Sequence, residues 1–399
     1  MLLKRRKGEI ILLHLLPLIL FLMKKYYTFL VLMLSLVSIA QAPANYYNNA
    51  TGTGYTLKTQ LKTIISNGHN DQGYASLWDL YSNTAFRDNF YENDGSLLDL
   101  YSENPTGVDP YNYTSTNQQC GNYNAEGICY NREHLVPQSY FDEFQINPMK
   151  NDAFHVFPSD GKVNGDRNNL GFGIVGTANY TSQNGSKRGS MSAGAYSTFT
   201  GTVFEPIDAF KGDVARAFFY FATRYESSMG SFYNAANSTT CQAKAMFDGS
   251  TNKVFSDDFI LVLIKWHLDD PVSPIEIAKN NAIYTYQGNR NPYIDNPGYV
   301  CQIWSTQCAT VNTLSTTDFA TLSKVSVYPN PSSENKVTIS SENTIDEIQL
   351  ISVNGQIIQQ INKPTFENNN YSVENIPSGF YFLRLSSGNQ TVVKKVIVN

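Results

Sequence analysis

The hydrophobic period of this chain changes near Cys308, and that change restricts the fold more than any other feature of the sequence. Before it, apolar residues recur at helical spacing: Leu57, Leu61, Ile64 and Ile65 within Tyr55 to Ile65, Phe210, Val214, Phe218, Phe221 and Ala222 within Phe210 to Tyr225, and a third set from Phe259 to His267. Each run predicts a helix that buries one face. A Gly, Asn and Tyr-rich stretch from Asp94 to Tyr123 reads as turns and loops. After Cys308, alternating runs predict strands over Lys324 to Tyr328, Lys336 to Ile339, Glu347 to Val353, Phe380 to Leu385 and Thr391 to Val398, with turns at Asn330-Pro331, Asn354-Gly355 and Ser378-Gly379. Period 2 and period 3.6 bury different faces, so two separately cored units are expected: an α+β region and a small C-terminal β-sandwich. Their boundaries are set at 43–310 and 323–399, with a Ser/Thr-rich linker at 311–322.

Residues 1–42 read as a signal region. Two apolar runs, Ile10 to Met23 and Phe29 to Ala40, each follow a basic cluster. The second is the expected signal peptide, with Met23 as the start, Lys24 and Lys25 as the charged region and Ala40-Gln-Ala42 as the cleavage pattern. Pro43 leaves a cut after Ala40 as the alternative. A membrane hairpin is the competing reading, but neither run reaches the roughly 18–20 apolar residues that spanning needs, so no stable membrane span is expected. Export permits disulfides. Five cysteines leave at least one without an intramolecular partner; proximity suggests Cys120 with Cys129 and Cys301 with Cys308, although sequence alone does not fix connectivity. Removing residues 1–42, with six Lys or Arg and one Glu, takes the formal net charge from −5 to −10. A binder of nucleic acid is usually basic, so a polyanion would have to be met by a local patch or a bound divalent cation.

Two segments carry chemistry: Asn131-Arg-Glu-His-Leu-Val-Pro137 and Ser159-Asp-Gly-Lys-Val-Asn-Gly-Asp-Arg-Asn168. His134 suits a general base, since a neutral imidazole takes a proton near neutrality. Glu133 and Asn164 offer hard oxygen, which suits Mg²⁺, with Mn²⁺ or Ca²⁺ as alternatives. Adjacent residues on a flat strand face opposite ways, so Glu133 and His134 share a site only if the strand twists, bulges or ends there; Pro137 favours an ending. Ser159 or Asp160 can cap a helix on which Asn164, Arg167 and Asn168 stand at i, i+3 and i+4, making Arg167 a catalytic and phosphate-binding candidate. Arg132 and Arg290 are the other substrate-binding candidates. Blander roles compete. Arg167 can pair with Asp166 or Asp160, Asn164 can start a turn, and His155 and His267 can be core histidines. Glu205 and Arg216 suit helix-boundary and ion-pair roles, and Lys187-Arg188 sit in a polar loop, Thr181 to Ser192.

With these motifs in place, the chain resembles the endonuclease I family, periplasmic and secreted nucleases with a ββα-metal (His-Me finger) core, over about residues 45–305. The family's Glu-His dipeptide before x-x-Pro matches Glu133 and His134, implying metal ligand and general base. The Asn of its Val-Asn-Gly-Asp-Arg segment matches Asn164, implying the second metal ligand. The likeness continues through His155, Phe204-Glu-Pro-x-Asp208, Lys211-Gly-Asp-Val-Ala-Arg216, Trp266-His-x-x-Asp-Pro271 and Gln287-Gly-Asn-Arg-Asn-Pro292. One departure stands out: some members place a phosphate-binding Arg between the two motifs, and Phe141 to Ala153 has none. The resemblance implies a ββα-metal finger embedded in a mostly helical domain. It also implies sequence-nonspecific hydrolysis of DNA, possible on RNA too, to 5′-phosphate products by a monomer. The last 75 or so residues resemble the C-terminal sorting domain of the type IX secretion system in Tyr328-Pro-Asn-Pro331, Val353-Asn-Gly355, Ile376-Pro-Ser-Gly-Phe-Tyr381 and Lys394-Lys395. That implies engagement of the secretion machinery and a secreted or surface location. Three alternatives stay open: an extracellular ribonuclease of the same family, a non-catalytic surface-binding protein, and an adhesion or carbohydrate-binding role for the sandwich.

Overall fold

A computed structural model describes residues 42–114, 118–120, 123–141, 147–323, 325–387 and 390–399. The expected signal region lies outside them apart from Ala42. Six helices matter here: α1 (Gly54–Ser66), α2 (Gly161–Arg167), α3 (Lys211–Arg224), α4 (Asp257–Asp269), α5 (Pro274–Gln287) and α6 (Ser305–Ser323). The helices expected from apolar spacing are α1, α3 and α4. In α3 every residue from Gly212 to Thr223 is buried, which makes it the central strut of the core. Truncating one of its rings, Phe218→Ala for example, costs about 3–5 kcal/mol on general grounds.

β1 (Tyr130–His134) and β2 (Val156–Asp160) pair antiparallel, Tyr130 opposite Asp160 and His134 opposite Val156. The second sheet runs in the order β3-β6-β5-β4 and combines β3 (Gly171–Phe172), β4 (Val175–Thr181), β5 (Lys187–Met191) and β6 (Thr202–Glu205), with β3 parallel to β6. Lys187 and Arg188 therefore lie on a strand of this sheet, correcting the expectation of a polar loop. The turn of that hairpin, Ser182 to Ser186, closes through Ser182 N–H to Ser186 O at 2.8 Å.

Buried ionic groups tie the helices together. Arg216 on α3 grips Glu276 through Nε and Nη2 at 2.5 and 2.7 Å and donates to Asp270 O at 2.8 Å. Thus Lys211–Arg216 and Trp266–Pro271 are joined at the start of α5. Glu276 also completes a capping box with Ser273 ahead of Pro274. Glu205 binds Lys211 at 2.6 Å. These are the ion-pair roles expected for Glu205 and Arg216.

Beyond Cys308 the chain stays helical through α6, so the Ser/Thr-rich stretch expected as a linker is largely helix. The C-terminal strands β7 (Ser326–Tyr328), β8 (Val337–Ser340), β9 (Glu347–Ser352), β10 (Ile357–Asn362), β11 (Asn370–Val373), β12 (Gly379–Ser387) and β13 (Gln390–Val398) form two sheets, β11-β8-β7 and β10-β9-β12-β13. Val337, Ile339, Ile348, Leu350, Leu383 and Leu385 fill the space between them. Both proximity-based disulfides, Cys120–Cys129 and Cys301–Cys308, are present, and Cys241 is a free, buried thiol. No helix among the described residues is long and apolar enough to cross a membrane.

Candidate active site

The chain from β1 through β2 to α2 builds the site. β2 ends at Asp160, whose carboxylate accepts the N–H of Val163 at 2.8 Å and so caps α2. The same carboxylate takes the Tyr113 hydroxyl at 2.5 Å and the Gly127 N–H at 2.8 Å, fastening the loop before β1 to the strand–helix junction. β1 ends at His134.

The two side chains still have different surroundings. Glu133 is 1% exposed, and its Oε1 accepts the Tyr101 hydroxyl at 2.9 Å and lies 3.2 Å from Arg167 Nη1. Burial pushes its carboxyl up to about 7, against the pull of Arg167 and Tyr101. His134 sits beside Tyr74, Phe141 and His155, with ring centroids 5.7, 6.4 and 5.8 Å away. Its Nε2 is 3.0 Å from Lys150 O. A carbonyl can only accept, so Nε2 carries the proton and Nδ1 keeps the lone pair, 3.4 Å from the Gln138 amide nitrogen. Burial first, then the charge of His155, pushes the imidazole down to about 3, which keeps it neutral at ordinary pH.

Asn164 is half-buried on α2 and its side-chain amide makes no hydrogen bond among the described residues. Glu133 Oε2 likewise has no hydrogen-bond partner there. A carboxylate oxygen and an amide oxygen, both uncommitted, fit the donor set of a hard divalent ion.

Two arginines expected at the substrate are placed elsewhere. Arg167 is 1% exposed; it donates to His134 O at 2.8 Å and to Leu135 O at 2.5 Å, besides its pairing with Glu133. It turns inward from α2 to the buried Glu133 and the end of β1, while Asp166 pairs with Lys162 and Arg188. Arg290, also 1% exposed, is held by Asp295 at 2.7 Å and by the Asn281 amide oxygen at 2.9 Å. By contrast Arg132, two residues before His134 on the same strand face, lies 3.5 Å over the Tyr74 ring and 4.3 Å over Trp78. Lys150 Nζ lies 5.0 Å over the same Tyr74 ring. Arg132, Lys150, Tyr74 and His134 form one cationic and aromatic face. Lys150 is the sole basic residue from Phe141 to Ala153, the stretch that lacks the family's Arg, so its sequence signal was a lysine in place of an arginine. Tyr101 had no local signal at all, since it comes from the loop-rich stretch.

The remaining motif histidines are structural. His155 Nε2 contacts Met149 O at 2.6 Å and His267 Nε2 contacts Pro297 O at 3.1 Å. Asp152, beside His155, receives the hydroxyls of Tyr220 and Tyr225 at 2.8 and 2.7 Å and the Gln287 amide at 2.8 Å. The closing loop thus anchors the segment that carries Lys150. Among the described residues one acidic cluster able to coordinate a divalent ion stands apart from Glu133 and Asn164: Asp88, Glu92 and Glu103.

A strand bearing carboxylate and imidazole, its antiparallel return and a capped helix offering an amide make the ββα finger of metal-dependent endonucleases, enzymes that cut nucleic-acid phosphodiester bonds. The chain belongs to the endonuclease I family. The Endonuclease I family profile matches residues 53–298, and that of the secretion system C-terminal sorting domain matches 326–399. The second match identifies the sandwich as a sorting domain and the chain as a secreted or cell-surface protein. An extracellular ribonuclease of Bacillus subtilis (strain 168) is 33% identical over 279 residues, covering 68% of this chain and 84% of its own. One of Bacillus amyloliquefaciens is 32% identical over 261 residues, 65% and 78% of the two chains. A solved structure of PorZ, a surface component of the type IX secretion system of Porphyromonas gingivalis, is 18% identical over 20% of this chain and 12% of its own. Its TM-score of 0.18 is too low to inform fold or function.

Proposed function

We propose that this secreted nuclease hydrolyses RNA, with His134 as general base, Glu133 and Asn164 holding a divalent ion, and Arg132 and Lys150 meeting the scissile phosphate. The ribonuclease reading rests on the two Bacillus relatives, both named extracellular ribonucleases and matched over 84% and 78% of their lengths. DNA is the second reading, since the family's description, Endonuclease I, does not restrict the nucleic acid cut.

Nδ1 of His134 is the atom that takes the proton from water, since Nε2 is committed to Lys150 O. An anionic phosphate drawn beside the ring raises the imidazole's proton affinity at the moment it is needed. Glu133 and Asn164 would hold a divalent ion, which would supply Lewis-acid neutralisation of charge at the reacting phosphate. Arg167 and Tyr101 orient Glu133 without touching substrate. Arg132 and Lys150 bind backbone phosphate, so cleavage is sequence-nonspecific and weakens with salt. The attack breaks the P–O3′ bond, a water molecule protonates the departing 3′ oxygen, and products carry 5′-phosphates. Mg²⁺ suits a site of two protein oxygens, because it keeps several waters. Residues 323–399 engage the secretion machinery, and 43–310 form the catalytic unit.

Equal masses of RNA and plasmid DNA digested side by side by the exported chain test the substrate assignment. RNA should be cut faster at equal enzyme. Preferential cutting of DNA would move the assignment to the second reading.

A further inference from the structure

Between Asp88 and Asn131 the chain has seven acidic residues and no Lys or Arg. Three of those carboxylates converge: Asp88, Glu92 and Glu103 each offer an oxygen within 4.8 Å of the others. Like charges this close repel, and two of them are withdrawn from water, Asp88 fully and Glu103 to 1% exposure. Asp88 is compensated in part. It accepts the N–H groups of Phe90, Tyr91 and Asp94 at 3.0, 2.9 and 3.3 Å, and the Asn93 N–H also favours its charged form. Glu103 is not compensated: neither Oε1 nor Oε2 has a hydrogen-bond partner among the described residues. Lys279 acts on Glu103 through space but does not bond to it. A cation between the three carboxylates satisfies every one of these groups.

We propose that Asp88, Glu92 and Glu103 form a calcium site, separate from Glu133 and Asn164, that fastens the acidic loop of the exported protein. All three donors are hard oxygens and no His or Cys joins them, which disfavours zinc. Glu103 has both oxygens free for bidentate coordination, Asp88 offers the oxygen nearest the other two carboxylates, and Glu92 closes the site from the exposed side. Three carboxylates suit Ca²⁺, which takes six to eight oxygens in flexible geometry, better than Mg²⁺, which usually takes one or two. Extracellular calcium modules bind at about 10⁻⁴–10⁻³ M, an affinity matched to a secreted protein. The ion would join the turn from Asp88 to Ser96 to the segment holding Glu103, two residues beyond Tyr101, whose hydroxyl bonds Glu133. The site would thereby steady the surroundings of Glu133 without entering the reaction.

The test uses the exported full chain, stripped with chelator, and its Glu92→Gln, Glu103→Gln and Glu133→Gln variants. Thermal unfolding is followed by tryptophan fluorescence with CaCl₂ or MgCl₂, alongside calorimetric titration of Ca²⁺. At about a hundredfold above Kd, calcium should raise Tm by about 5 °C in the parent and in Glu133→Gln, and magnesium by clearly less. Glu92→Gln should weaken calcium binding at least tenfold and halve the rise; Glu103→Gln should abolish it. Glu92 is exposed, so that variant decides the matter if Glu103→Gln fails to fold. No calcium-induced rise in the parent, or an equal rise in Glu92→Gln, overturns the proposal.

Discussion

Replacing Arg167 by Met should destabilise the catalytic region far more than it alters any contact with substrate. The guanidinium and the Glu133 carboxylate are each 1% exposed and 3.2 Å apart. Removing one member of such a pair leaves the other buried and unpaired, which costs about 3–5 kcal/mol. The carbonyls of His134 and Leu135 lose their donors in the same step, adding to the loss. For a unit of this size the expected fall in Tm is roughly 10 °C. All three tryptophans, Trp78, Trp266 and Trp304, precede residue 305, so their fluorescence in a urea titration reports this region and not the sandwich. Measured in EDTA, the cycle of Arg167→Met, Glu133→Gln and the double variant should give a coupling of about 2–3 kcal/mol. A loss under about 1 kcal/mol, or additivity in the cycle, would refute the reasoning that Arg167 acts by holding Glu133.

Lys150→Ala should raise KM for nucleic acid and lower kcat/KM by about tenfold with little change in stability, since one phosphate contact is worth about 1–3 kcal/mol; an unchanged kcat/KM would remove Lys150 from the site. Arg290→Ala should do the reverse, lowering stability by about 3 kcal/mol with KM unaltered, because its charge is committed to Asp295. Asp270 is pushed up to about 6, by burial first and by Glu276 among the charges. An acid raised in the fold binds its proton more tightly there than in the unfolded chain, so its contribution is full below about pH 4 and is lost as pH rises through 6. Asp270→Asn should therefore reduce the loss of stability between pH 4 and 7, and denaturant midpoints across that range check it. Thiol titration of the unfolded, unreduced chain should find a single reactive group, Cys241, and a count of three or five would contradict the two disulfides.

Local signals carried much of the fold. Leu57 to Ile65 and Phe210 to Ala222 announce helices by spacing, and Asp160 announces its cap three residues ahead of Val163. The capping box of Ser273 and Glu276 before Pro274 was equally local and was overlooked. Strands β10 and β11 have weak alternation, with Gln359, Gln360 and Asn370 among their residues, and depend on pairing with β9 and β8. At the candidate site, Glu133, His134 and Asn164 could be picked out because all three fall in two short motifs. What sequence could not supply was direction. Arg167 shares a helical face with Asn164 by spacing, yet a buried carboxylate on β1 turns it inward. Tyr101 reaches Glu133 from 32 residues away, a contact that no local pattern encodes. The convergence of Asp88 and Glu103 is of the same kind, set by the loop's path and not by periodicity.

This chain is a metal-dependent nuclease, and His134 is proposed as its base. The measurement that tests it most directly is degradation of RNA and supercoiled plasmid by the exported protein with Mg²⁺, in parallel with EDTA and with a folded His134→Ala variant. Cleavage should occur in the parent and disappear in both controls. Cleavage that persists in His134→Ala, or no cleavage by folded protein with Mg²⁺, Mn²⁺ or Ca²⁺, would contradict that reading.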